Sequence, residues 1–254
     1  LLSRDSVENV KIIGSGMVEH TVKMGVHIPN SRDIEVDGIF VTQCATGGSD
    51  GVKITNVKSI SYYGWGDGLN VFASNNVTFN RVFCRNSDDC TTVYATRKGF
   101  DGGCKNILME NSTLWADVAH PIFIGIHGNA NNFDIIENVT FRNIDILDHK
   151  EVQLDYQGCM AINAGDNNII RDVLFEDIRV EDFRQGQLFN IRIFYNEKYC
   201  AAPGMGIENI HFKNIEYNGN NAEVSVIAGY NSDRKVKNIT FENLKINGQL
   251  ITDD

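Results

Sequence analysis

The chain has 254 residues and carries 23 Lys and Arg against 33 Asp and Glu, a formal charge of −10, which disfavours nucleic acid and anionic membranes as partners and demands a local basic cleft for any polyanionic ligand. Its 23 Gly and only 3 Pro, with abundant Asn, Ile, Val and Phe, favour short strands and tight turns over long helices. No apolar run of about 18 residues occurs, so no segment reads as a membrane span, and a soluble protein without membrane partners is expected.

The first residues, Leu1-Leu2-Ser3-Arg4-Asp5, include no initiator Met and no secretory signal pattern, which suggests a mature, trimmed or fragmentary chain. A short motif then begins at Glu8-Asn9-Val10-Lys11-Ile12 and returns along the sequence. Weaker copies stand at Asp33-Ile34-Glu35-Val36 and Gly51-Val52-Lys53-Ile54. Fuller ones start at Asn76, Asn106, Asn138, Asp172, Asn209 and Asn238, as in Asn138-Val139-Thr140-Phe141-Arg142-Asn143. Apolar and polar residues alternate in each copy, the period of a strand with one buried face. The steps between copies vary from 18 residues (33 to 51) to 37 (172 to 209), too irregular for helical repeats of fixed period.

A single short strand cannot bury its face alone, so successive copies are expected to stack in parallel, about 4.8 Å apart, as an all-β, right-handed parallel β-helix, a single-stranded solenoid. Asn before the strand suits such a stack, since it tolerates left-handed turns and its amide bonds from coil to coil. A doubly wound α/β fold would need amphipathic helices in the linkers, which are instead rich in Gly, Asn and Asp. Because the chain starts directly in a copy, residues 1–254 are expected to form one β-helical catalytic domain lacking N-terminal coils or an N-terminal domain. Sequons at Asn76, Asn111, Asn138 and Asn238 coincide largely with the turn Asn and read as structural. Cys44, Cys84, Cys90, Cys104, Cys159 and Cys200 form no Cys-x-x-Cys pair; buried thiols are expected, with disulfides allowed but not required.

Two segments depart from the repeat's routine filling: Gly64-Trp65-Gly66-Asp67-Gly68 and Asn86-Ser87-Asp88-Asp89-Cys90. Asp67 and Asp88 are 21 residues apart, about one short coil, so Asp67, Asp88 and Asp89 are expected on one edge of adjacent coils. Crowded carboxylates raise at least one pKa and leave an acid beside a base, the pairing that glycosidic hydrolysis requires, with a water-sized gap for inversion. Turn sequences on a solvated edge are the plain alternative. One coil on, in Ala119-His120-Pro121-Ile122-Phe123-Ile124-Gly125-Ile126-His127, His120 is expected to stack above the aspartates. Trp65, Tyr94, Trp115 and His127 are candidate substrate-binding residues, as are Tyr62 and Tyr63.

At these residues the sequence resembles the clan of β-helical glycoside hydrolases that joins family 28, the polygalacturonases, with family 49, the dextranases and isopullulanases. Asp67-Gly68, Asp88-Asp89-Cys90 and Ala119-His120-Pro121 follow the family 28 order, while Ser112-Thr113-Leu114-Trp115 and Pro121-Ile122 are closer to family 49. The resemblance implies that Asp88 is the general acid, that Asp67 and Asp89 activate water and that His120 supports them. It also implies a secreted, extracellular or periplasmic monomer acting on a polysaccharide or oligosaccharide, with no cofactor and no metal. Family 28 has an Arg-Ile-Lys that grips the galacturonate carboxylate; this chain has Gly158-Cys159-Met160-Ala161-Ile162-Asn163 there. Arg192, a further candidate substrate-binding residue, and the pair Arg97-Lys98 are cations at other positions. Without that anchor an acidic substrate would bind poorly, so a neutral, α-glucan-like glycan is expected. Two rivals stay open: a calcium-dependent polysaccharide lyase, its ion held by the three aspartates with Arg97 or Lys98 as base, and a non-catalytic surface module.

Overall fold

The computed structural model describes residues 2–3, 5–18, 25–156 and 158–252; Leu1 and Arg4 of the N-terminal pentapeptide lie outside them. Every motif copy is a rung of one parallel ladder. Val10, Ile34, Val52, Val77, Ile107, Val139, Val173, Ile210 and Ile239 are successive register partners. Two residues on, the same ladder stacks Phe141, Phe175, Phe212 and Phe241, with ring centroids 5.3, 4.7 and 4.9 Å apart. Stacked rings of this kind add about 0.5–1.5 kcal/mol per pair to the burial of their area. All β-ladders are parallel except the last, Val236–Ile246 with Gln249–Leu250, and no helix occurs among the described residues. The solenoid winds right-handed, as parallel crossovers almost always do.

In the later coils the strand runs through a corner: Cys104–Ala116, Ile135–Asp148, Ile169–Glu181 and Gly206–Asn218 each contain two residues at positive φ, Asn106 and Asn111, Asn138 and Asn143, Asp172 and Asp177, and Asn209 and Asn214, with φ of 52 to 59°. Asn and Asp tolerate that conformation best among residues with a Cβ. Their amides then stack. Asn76 Nδ2 donates to Asp50 at 2.6 Å, Asn106 to Asn76 at 2.7 Å and Asn138 to Asn106 at 2.6 Å, and a second file runs Asn143 to Asn111 to Asn80. Each of the four sequon Asn residues donates its side-chain nitrogen in such a file.

A separate nine-stranded sheet forms the first wall, including Leu69–Phe72, Thr91–Tyr94, Ile122–Gly125, Met160–Ala164 and Phe189–Ile193. Its inward residues, among them Val71, Val93, Ile124 and Ile162, join the main core. Its outward residues Phe72, Tyr94, Phe123 and Ala161 are buried too, in a second cluster with Tyr156, Phe194 and Cys200. Burial on both faces explains why this wall reads as unbroken apolar runs rather than alternation. All six cysteines are free and buried.

Candidate active site

The carboxylates stand where the coil turns into the first wall. Leu69 pairs with Thr91, an offset of 22 residues, and the ladder carries on to the turn, where the Gly68 N–H donates to the Asp89 carbonyl at 2.8 Å. A Cβ on Gly68 would fall 2.3 Å from the Cys90 carbonyl oxygen and 2.5 Å from Asn86 Oδ1, so only glycine lets the two coils close this tightly. Asp67 is therefore level with Asp89 and beside Asp88, on the shared edge expected from the coil length. One oxygen each from Asp67, Asp88 and Asp89 lies within 4.8 Å of the others.

Their surroundings divide the charge unequally. Asp89 receives His120 Nδ1 at 2.7 Å, the His120 backbone N–H at 3.1 Å and the Tyr94 hydroxyl at 3.2 Å. His120 is fully buried, and its Nε2 lies 2.6 Å from the Tyr156 carbonyl, which can only accept. Both ring nitrogens thus face acceptors, the arrangement of an imidazolium. Burial lowers the His120 pKa, but the charge and hydrogen bond of Asp89 outweigh it and the net shift is upward. Asp67 is pushed up to about 8 by burial and then by the charges of Asp89 and Asp88, and Asp88 to about 7 by burial and then by Asp89. Asn70 donates to Asp67 at 3.2 Å, its orientation fixed by the Thr92 hydroxyl donating to Asn70 Oδ1 at 2.5 Å. The cluster holds a charged pair beside two carboxyls that titrate together near neutrality.

A raised carboxyl pKa carries a stability consequence. The folded protein favours protonated Asp67, so this contribution is complete below the ordinary value near 4 and is lost as pH rises through about 8. Asp67→Asn is therefore expected to stabilise the fold, by about 1–3 kcal/mol at pH 9 and less at pH 5, a gain of roughly 3–10 °C at the alkaline end. Thermal melts from pH 5 to 9 check this; a gain that does not grow with pH refutes the charge origin.

The other sequence candidates fare differently. Trp65 lies on the approach to Asp67, 81 % exposed, beside Tyr62 and Tyr63, which are 67 % and 68 % exposed with ring centroids 4.4 Å apart; these three are open aromatic faces at the rim. Tyr94 is buried and faces Asp89 with its hydroxyl, so it positions a carboxylate instead of offering a sugar platform. His127 is also buried, edge-on to Tyr94 at 4.8 Å, and burial, then Arg97, lowers its pKa to about 3. Trp115 is not brought to the carboxylates: it lies on another wall, 4.3 Å beneath the Arg85 guanidinium. Arg192 spends Nη1 on Asp155, 2.8 Å away. Sequence reasoning missed Asn70 and Tyr156. Asn70 was legible in principle, three residues after Asp67 in a turn, whereas Tyr156 acts through a backbone carbonyl that no side-chain pattern marks.

Spacing alone would let the three carboxylates hold a divalent cation, whose oxygen ligands stand 2.3–2.6 Å away. The His120 imidazolium and the Asn70 amide, both directed at these oxygens, suit hydrogen bonding to carboxyl groups better than metal ligation.

A family model described as glycosyl hydrolases family 28 matches residues 2–253. An Aspergillus niger protein named as a galacturan 1,4-alpha-galacturonidase is 24% identical over 171 residues, 60% of this chain and 37% of its own length. A Neosartorya fischeri protein named as an endopolygalacturonase is 25% identical over 187 residues, 72% of this chain and 35% of its own length. The chain thus spans about a third of the curated relatives it matches. Among solved structures, an endo-xylogalacturonan hydrolase from Aspergillus tubingensis superposes with a TM-score of 0.57 at 14% identity, over 87% of this chain and 63% of that one, a likeness of fold.

Proposed function

The chain belongs to glycosyl hydrolase family 28, and from that premise we propose that it hydrolyses the glycosidic bonds of a galacturonan. Asp88 gives its proton to the leaving glycosidic oxygen as the bond to the anomeric carbon breaks. Asp89, kept oriented by His120, takes up the proton of the attacking water, and Asp67, which holds its own proton up to about 8, orients that water by a hydrogen bond. The observation that carries this reading is the convergence of Asp67, Asp88 and Asp89 within 4.8 Å of one another, with Asp89 held at 2.7 Å by the buried His120 and Asp88 pushed up to about 7 by burial and then by Asp89, so that Asp88 keeps a transferable proton.

Inversion goes with the proposal. Carboxyls of inverting pairs usually stand about 6.5–9.5 Å apart and those of retaining pairs about 5–5.5 Å, and the oxygens here, within 4.8 Å, fall near the shorter class. A single water accepting and donating bonds of about 2.8 Å still bridges such a gap, and a third carboxylate frees Asp88 from acting as both acid and nucleophile partner. The neutral glycan expected from the missing Arg-Ile-Lys gives way to a galacturonan, because the relatives are named for galacturonan-type substrates. A polymer cannot cross a membrane to its hydrolase, which supports action outside the cell by a catalytic solenoid to which this chain contributes.

Reducing ends released from polygalacturonate, unaffected by a chelator and without an ultraviolet-absorbing unsaturated product, are the expected result, with the inverted anomer seen first by proton NMR. Calcium dependence with an unsaturated product would establish the lyase instead. Release from neutral α-glucans alone would return the substrate to that class.

A further inference from the structure

The stretch Gly158–Asn163 turns only Ala161 and Asn163 outward on the first wall; Ala161 is buried in the outer cluster, and Asn163 gives Nδ2 to Asn190 Oδ1 at 2.9 Å. Arg192, one rung on, is held by Asp155. On this part of the wall Arg192 has Nη1 committed to Asp155, while its Nε is buried without a hydrogen-bond partner. Cations gather instead at the opposite edge of the same wall. There a cavity of about 380 Å³ is lined by Arg97, Lys98, His127, Lys198 and Tyr199, together with two acids, Asp166 and Glu197. The strand Thr91–Tyr94 separates this edge from Asp89; its four residues span about 13 Å. Contact between the two ends is continuous, since His127 lines the cavity and touches Tyr94, whose hydroxyl donates to Asp89.

We propose that this cavity binds the carboxylate of a uronate residue of the substrate, with Arg97 and Lys98 supplying the charge, so that the anion anchor of this chain sits on edge loops instead of on the sheet. The proposal rests on the galacturonan reading above. Its first support is that Arg97 and Lys98 form no ion pair among the described residues, and Arg97 Nε is buried without a hydrogen-bond partner. In a chain of formal charge −10, neighbouring unpaired cations in a concavity are a ready seat for an anion. With Lys198 the lining carries three cations against the two acids Asp166 and Glu197, and Asp166 Oδ1 is occupied by the Ala201 and Ala202 N–H groups at 2.7 and 3.2 Å.

The second support is preorganisation. Arg97 and Phe100 exchange backbone hydrogen bonds at 2.9 and 3.0 Å around Lys98 and Gly99, both at positive φ, 51° and 89°, a tight two-residue turn. The Phe100 ring clamps it down over Gly47, where a Cβ would lie 2.3 Å from the ring. Across the cavity, Lys198 Nζ is held 3.1 Å from Gln153 Oε1 and 4.7 Å over the Tyr199 ring. Fixed cations lose little freedom when they take a charged ligand.

The test uses Asp88→Asn protein, which cannot turn over substrate on the reading above, and measures binding of trigalacturonate and of its full methyl ester by calorimetry. Adding Arg97→Gln with Lys98→Gln is expected to weaken trigalacturonate by about 10- to 100-fold and to bring the acid-over-ester preference to within about twofold, while Arg97→Lys with Lys98→Arg retains most of it. Circular dichroism and melting confirm that each variant is folded. A loss equal for acid and ester, or no loss, overturns the proposal. Hydrolysis of polygalacturonate by the unmodified chain with no such loss leaves the activity standing and removes the anchor; cation-dependent binding of the acid without hydrolysis keeps the anchor and removes the activity.

Discussion

Replacing Asp88 by Asn is expected to lower kcat on polygalacturonate by about 10²- to 10⁴-fold, the usual worth of a positioned general acid, with the fold and the affinity for substrate retained. The geometry says why the loss falls on chemistry. Among the described residues Asp88 accepts only the backbone N–H of Asp89, at 3.0 Å, a bond that an Asn oxygen can also accept, so the isosteric change removes the proton and little else. The same assignment fixes the direction of the pH profile. Activity that needs a protonated Asp88 falls as pH rises through about 7, and the coupled titration with Asp67 broadens that limb. Steady-state rates from pH 4 to 9 measure both effects, and a variant within twofold of the parent rate would sink the assignment of the acid.

Removing His120 has the larger expected effect on the fold. Its side chain is fully buried, stacked on Phe123 with centroids 4.5 Å apart, and it neutralises a buried carboxylate. His120→Ala takes away one partner of that pair and leaves Asp89 with an uncompensated charge, a loss of about 3–5 kcal/mol, or roughly 6–20 °C of melting temperature for a domain of this size. The sign with pH follows from the upward shift of His120. Its stabilisation is complete below the ordinary histidine value near 6.5 and fades as pH rises through the raised folded value. The melting gap between parent and variant should therefore be widest in acid and narrow with alkali. A gap independent of pH would mean that the ring serves as packing alone.

Much of this architecture is legible in the sequence. The alternation in copies such as Asn138-Val139-Thr140-Phe141 gave the rungs, and all nine copies fall into one register. The first wall was harder to see, because burial on both faces erases alternation in runs such as Ile122-Phe123-Ile124. Of the candidate site, coil length suffices to bring Asp67 beside Asp88 and Asp89 with His120 one coil on, and the turn before Gly68 sets Asp67 level with Asp89. The aromatic candidates misled for a common reason: Tyr94 and Trp115 can offer a flat face or a polar edge, and only packing decides which. The expectation of a neutral glycan rested on a motif missing from the sheet, and such a gap says nothing about cations elsewhere in the chain, such as Arg97 and Lys98.

The stacking of Asp67, Asp89 and His120 on three consecutive coils also has a mechanical side. The hydrogen bonds between coils lie along the solenoid axis, so a pull on the two ends loads one coil boundary at a time, and the molecule peels like a zipper under modest force instead of resisting as a sheared block. Because each coil contacts chiefly its neighbours, the site disappears when the first of its two internal boundaries opens, well before the remaining coils come apart.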